Sequence, residues 1–156
     1  TVSVYYAQGA DGLRTECDSS MHAQLIPLAG GRNVHSCVAR SSYGMEKISM
    51  EQLLLYDPEV ILVFEEPFYR SVFRDPRWQR LRAVKNKRVH IIPKEPFNWF
   101  DRPPSFMRLL GVKWVAGCLY PQRCPFEMVK ETRLFFKLFF DIDLTLEGAK
   151  NILGGK

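Results

Sequence analysis

The side chains that could do chemistry fall into three short stretches. Arg14 follows Gly9 and Gly12, Phe68 and Tyr69 stand side by side, and Phe97, Trp99, Phe100 and Arg102 share one long loop. A guanidinium binds anions through charge-assisted, often paired hydrogen bonds. Aromatic faces supply the apolar lining of a ligand surface. Two arginines among aromatic rings therefore suit a bulky anionic or chelated ligand, with Arg14, Tyr69, Trp99 and Arg102 as its candidate contacts. The competing reading is structural: loop aromatics cover a core, and Arg102 pairs with a neighbouring acid such as Asp101. Tyr69 could also ligate iron as a phenolate, although a lone tyrosine more often packs with its hydroxyl hydrogen-bonded.

Catalytic patterns are missing. Gly9-Ala10-Asp11-Gly12 is not a dinucleotide fingerprint, no Gly-Lys-Ser/Thr phosphate loop occurs, and no G-x-S-x-G elbow is present. Glu65 and Glu66 are adjacent carboxylates, which on extended backbone point to opposite sides. No nucleophile, base and orienter can be assembled, so catalysis has little direct support. Four cysteines, Cys17, Cys37, Cys118 and Cys124, allow three pairings. Cys118 and Cys124 are close enough in sequence for a local disulfide, and unpaired buried thiols are the alternative. The three histidines do not flank the cysteines at zinc-ligand spacing. The metal ligands stay unassigned.

Composition narrows the class. The chain has 156 residues, 46% hydrophobic and 25% charged, with a net charge of +5. That excludes a disordered tail or a polar linker. The positive charge is scattered and does not form a nucleic-acid stripe. No apolar run approaches the ~20 residues that a membrane helix needs. The sequence opens straight into a strand, without a signal-like segment, and reads as a piece of something longer.

The elements that must position these stretches alternate. Residues 2–7 are β-branched and aromatic and predict a strand. Met21, Leu25 and Leu28 recur at helical spacing over residues 17–29, closed by Gly30-Gly31. Residues 32–46 read as loop. Ser49 and Gln52 form a capping pattern for a helix over 50–56. Residues 60–64 are a continuous apolar run, as in a strand buried on both faces. Short helices are expected within 65–83 and a strand over 88–92. Further helices are expected from Pro104 to Leu119 and over 128–140 and 144–153. The pattern predicts one three-layer α/β domain over residues 1–156, with a mainly parallel sheet and C-terminal helices. Ligands of such sheets bind outside the carboxyl ends of the strands, and those ends lead into the loops carrying Arg14, Tyr69, Trp99 and Arg102.

The ordered set of Gly12-Leu13-Arg14-Thr15, Leu28-Ala29-Gly30-Gly31-Arg32-Asn33-Val34, Ile48-Ser49-Met50-Glu51-Gln52-Leu53-Leu54, Asp57-Pro58-Glu59-Val60-Ile61, Ala83-Val84-Lys85-Asn86-Lys87-Arg88-Val89 and Trp99-Phe100-Asp101-Arg102 resembles a known family. It is similar to the C-terminal lobe of substrate-binding proteins of ABC importers for iron–siderophores, haem and cobalamin. The resemblance covers nearly the whole chain. It implies a partner lobe and a linking helix outside this sequence, and a metal-chelate ligand held between the lobes. It implies delivery to the membrane permease without chemistry on the cargo. Glu51 matches the position that docks on the permease, and the segment 99–102 matches the cleft-lining loop. An iron complex is the expected ligand, with cobalamin, haem or an oxyanion such as molybdate, or a doubly wound enzyme or sensor lobe, as alternatives. The implied location is periplasmic, or extracellular on a lipid anchor. Glu16 and Cys17 depart from the family, which often has small residues there.

Overall fold

The first strand sets the plan of the molecule. β1 (Ser3–Ala7) is buried along its whole length, yet its side chains part between two cores. Val4 and Tyr6 enter one, Tyr5 and Ala7 the other. β5 (Val60–Val63) divides in the same way, with Val60 and Leu62 on one side and Ile61 and Val63 on the other. Successive strand residues face opposite ways, so two apolar faces require a layer of helices on each. The computed structural model describes residues 1–38 and 44–154.

The main sheet has the order β3-β1-β5-β6, all parallel, with β3 at Arg32–Asn33 and β6 at Val89–Ile91. β2 (Arg14–Thr15) and β4 (Glu46–Lys47) form a separate antiparallel pair. One core joins the sheet to α1 (Leu25–Leu28), α5 (Arg108–Leu119) and α6 (Met128–Phe140) through Leu25, Ile26, Val115, Leu119 and Phe136. The other joins it to α2 (Met50–Tyr56), α3 (Glu66–Val72) and α4 (Arg82–Lys85) through Leu53, Phe68, Val72 and Ala83. α7 (Leu146–Ile152) packs on α6. The expected α/β architecture is the one that forms. The Ser49 cap also forms, its hydroxyl accepting from the Gln52 N–H at 3.1 Å.

Three local expectations fail for identifiable reasons. The helix expected over 17–29 is reduced to a 3-10 turn at Met21–Ala23 and the four residues of α1. Its first residues are bonded sideways: Asp18 N–H donates to the His35 carbonyl, and Cys17 is joined to Cys37. Residues 32–46 are not all loop, because Arg32 and Val34 N–H groups donate to Val2 and Val4 carbonyls and make β3. Residues 39–43 of that stretch lie outside the described residues. The helix expected from Pro104 begins only at Arg108. Just before it, the Met107 N–H donates to the Ser105 hydroxyl at 3.2 Å, a local bond in place of a helical one. The disulfide is Cys17–Cys37, and Cys118 and Cys124 are free, so the local pair considered from spacing does not form.

Candidate functional site

The carboxyl ends of β1, β5 and β6 open onto one rim. At its centre Glu16 is fully buried and nevertheless saturated with hydrogen bonds. Its carboxylate accepts from Arg102 Nη2 at 2.6 Å, Ser20 Oγ at 3.0 Å and the Met45 N–H at 3.0 Å. Gln8, its amide oriented by its partners, donates to Glu16 at 3.0 Å and accepts from Arg102 Nε at 3.1 Å. Gly44 makes this seat possible. Its φ is +61°, and a Cβ there would overlap the Glu16 carboxylate.

Arg102 leaves this seat with 23% of its side chain exposed. Its backbone is left-handed, φ +59°, which costs an arginine about 1 kcal/mol. Beside it the Asp101 side chain is 1% exposed and meets His22 Nδ1 at 2.6 Å, while Arg102 Nε lies 3.7 Å from the same carboxylate oxygen. Burial pushes the Asp101 carboxyl above the usual range, and His22 and Arg102 pull it back. The Tyr6 hydroxyl below is pushed well above its ordinary value, by burial first and by Asp101 second. Two buried acids, one arginine and one histidine thus tie the long loop to the segment after β1.

Arg14 lies on the same rim. Its N–H and carbonyl bond to Gln8, and its exposed side chain passes over Gly9. Arg14 makes no ion pair among the described residues. Tyr69 is half-buried further along, edge-on to Phe73 at 5.8 Å. With Glu66, Arg70, Asn151 and Gly154 it lines a cavity of about 570 Å³. Glu51 is fully exposed on the first turn of α2, and its carboxyl is held below the usual range by its own N–H and by Ser49.

Trp99 is corrected. It is 0% exposed, its indole N–H donates to the Glu95 carbonyl at 2.9 Å, and its ring belongs to the core with Tyr6 and Phe100. Gly111 of α5 lets the helix lie against the Trp99 carbonyl, where a Cβ would overlap it. Trp99 therefore shapes the loop and presents no surface to a ligand. Arg102 and Arg14 share the rim around Gln8, and Tyr69 lines the cavity with Asn151 and Gly154. Sequence reasoning missed Gln8, Ser20 and His22. The available signal was Glu16, a charged residue where the resembled family often has small ones.

Cys17, His35 and Cys37 bring three donor atoms within 4.8 Å of one another, a proximity their spacing did not suggest. The two sulfurs are joined to each other, so neither is a thiolate.

Residues 18–96 match the family model described as periplasmic binding protein. The chain belongs to the periplasmic binding protein family. A solved ABC transporter solute binding protein of Sulfurospirillum deleyianum is 50% identical with a TM-score of 0.95, matching 98% of this chain and 47% of that one. The molybdate-binding protein MolA of Haemophilus influenzae is 32% identical over 97 residues, 61% of this chain and 26% of that protein. A solved MolA bound to molybdate aligns at 26% identity and a TM-score of 0.74, over 92% of this chain and 43% of that one. The chain thus spans about half the length, or less, of the members of the family it matches. No helix among the described residues is long and apolar enough to cross a membrane.

Proposed function

We propose that the chain is a ligand-binding lobe of the substrate-binding component of an ABC importer, C-terminal to a second lobe, working in the periplasm or on a lipid anchor. It takes a metal-bearing anion at the rim and presents it to the membrane permease, with no chemistry on the cargo. The observation that carries this reading is Arg102. An arginine held in left-handed backbone, seated on a fully buried glutamate and still partly exposed at the strand ends, is a costly arrangement that a packing role does not require. Arg14 supplies a second cation, with Tyr69 as a further candidate contact. An iron complex of the siderophore-like kind is the first ligand class. A small oxyanion such as molybdate is the second reading, favoured by the likeness to MolA and by the burial of Trp99, which removes one stacking face for a flat haem or corrinoid.

Calorimetric titration with molybdate, a ferric chelate, cobalamin and haem tests the reading. A metal-bearing anion is expected to bind, and Arg102→Ala to weaken it by about 1.5–3 kcal/mol, the range of a charged hydrogen bond. Silence with every ligand would overturn it. Glu51→Lys is expected to lower uptake in cells while ligand binding by the purified protein is unchanged. Undiminished uptake would remove Glu51 from the permease contact.

A further inference from the structure

Cys17, His35 and Cys37 come from two segments that the fold ties together several times over. The Asn33 side chain donates to the Glu16 carbonyl at 2.9 Å, and the Asp18 N–H to the His35 carbonyl at 2.9 Å. The Cys37 N–H donates to the Asp18 carboxylate at 3.2 Å, and the Ser19 hydroxyl to the Cys37 carbonyl at 2.9 Å. None of these bonds involves sulfur, so they keep the two cysteines side by side whether or not the sulfurs are joined. A further element sets the third donor. His35 Nδ1 meets the Tyr56 hydroxyl at 3.0 Å, at the end of α2, and the His35 N–H donates to the Asn33 side chain at 3.1 Å. A hydrogen bond to the imidazole fixes the ring's orientation, as outer partners do for ligating histidines. One donor atom from each of the three residues lies within 4.8 Å of the other two.

Cys37 is partly exposed and Cys17 is buried, so a reductant reaches the bridge at the Cys37 sulfur. A dithiol attacks there, Cys17 leaves as the thiolate, and the second thiol of the reductant closes on its own sulfur to release Cys37. Two electrons pass from the dithiol to the bridge. The dithiol departs as a cyclic disulfide, and its two protons end on Cys17 and Cys37. A divalent ion then displaces those protons and takes two thiolates and one imidazole. That donor set suits zinc, with a fourth position open to water. An external disulfide runs the exchange backwards, rejoins the sulfurs and expels the ion.

We propose that Cys17, Cys37 and His35 form a redox-gated site for zinc or a similarly thiophilic ion, closed while the bridge stands and open once it is reduced. Cys17 follows Glu16 in the chain, but the site uses no side chain of the Arg102 seat and does not rest on the ligand reading. In the test the purified protein is reduced with a phosphine, which is oxidised to the phosphine oxide with oxygen from water. It is then titrated with cobalt(II) and with zinc. The reduced protein is expected to bind one cobalt per chain with a thiolate-to-metal absorption band, which zinc removes. Zinc is expected to raise the melting temperature of the reduced protein and to leave that of the oxidised protein unchanged. Loss of an outer partner costs a metal site roughly tenfold or more in affinity, and His35→Gln, which removes a ligand, is expected to cost at least as much. Tyr56→Phe, which keeps all three ligands, is expected to cost roughly tenfold and guards against a fold defect in the first variant. Cys17→Ser/Cys37→Ser, which retains Cys118 and Cys124, is expected to show no band. The proposal is overturned if reduced wild type shows no band, whether folded or unfolded. Equal uptake by the oxidised protein, a band in the double serine variant, or undiminished affinity in both His35→Gln and Tyr56→Phe also overturns it. None of these readouts involves the transported ligand, so failure of the ligand reading and failure of this one are told apart.

Discussion

At the scale of the residue, the decisive feature is a buried carboxylate that the fold has fully partnered. Glu16 collects Arg102, Ser20, Gln8 and the Met45 amide. Taking a carboxylate out of water is costly, and these bonds offset the loss. Removing the charge leaves Arg102 facing a neutral amide with most of its side chain still covered. Glu16→Gln is therefore expected to lose about 3 kcal/mol, at the low end for a broken buried pair because Arg102 is partly exposed. Urea denaturation measures it, and a loss under about 0.5 kcal/mol would show that the seat contributes little. Arg102 was legible in the sequence as a candidate, as was the possibility that it pairs with an acid. Its actual anchor was not, because Glu16 is remote in sequence and comes into reach only when the segment after β1 folds against the long loop.

Between elements, the contact of β6 with α5 carries a titratable group. His90 lies edge-on to Trp114 at 6.5 Å, and burial first, then Arg88, lowers its pKa to about 4. The imidazole is thus neutral in the folded protein at a pH where the unfolded chain, near 6.5, takes up a proton. Stability from this site is complete above pH 6.5 and is lost as the pH falls from 6.5 to about 4. At about 1.4 kcal/mol per unit the whole loss is roughly 3 kcal/mol. His90→Gln is expected to flatten the stability profile across that window. A profile of unchanged slope in the variant would place the acid sensitivity elsewhere. The elements themselves were largely readable, since β1, β5, β6, α2, α6 and α7 follow periodicity and caps. The short α1 was not readable, because bonds from outside its segment decide it.

For the molecule as a whole, the Cys17–Cys37 bridge closes a stretch of 20 residues that holds α1, β3 and the segment beside Glu16. Constraining the unfolded chain over such a loop is worth about 3 kcal/mol. Cys17→Ser/Cys37→Ser is expected to lower unfolding free energy by that amount. A reducing agent should act on wild type and leave the variant unchanged, and equal sensitivity of both proteins would argue against the bridge. By itself the sequence determined the layered α/β plan, and it made Arg14, Tyr69 and Arg102 candidates on the loops after the strands. Those depend on residue type and on spacing along one segment. Tertiary structure alone decided that Trp99 is core, that Glu16 anchors Arg102, which cysteines pair, and that His35 stands beside the bridged sulfurs. Each of these is a meeting of segments distant in sequence, where burial depends on what packs against a side chain and not on its neighbours in the chain.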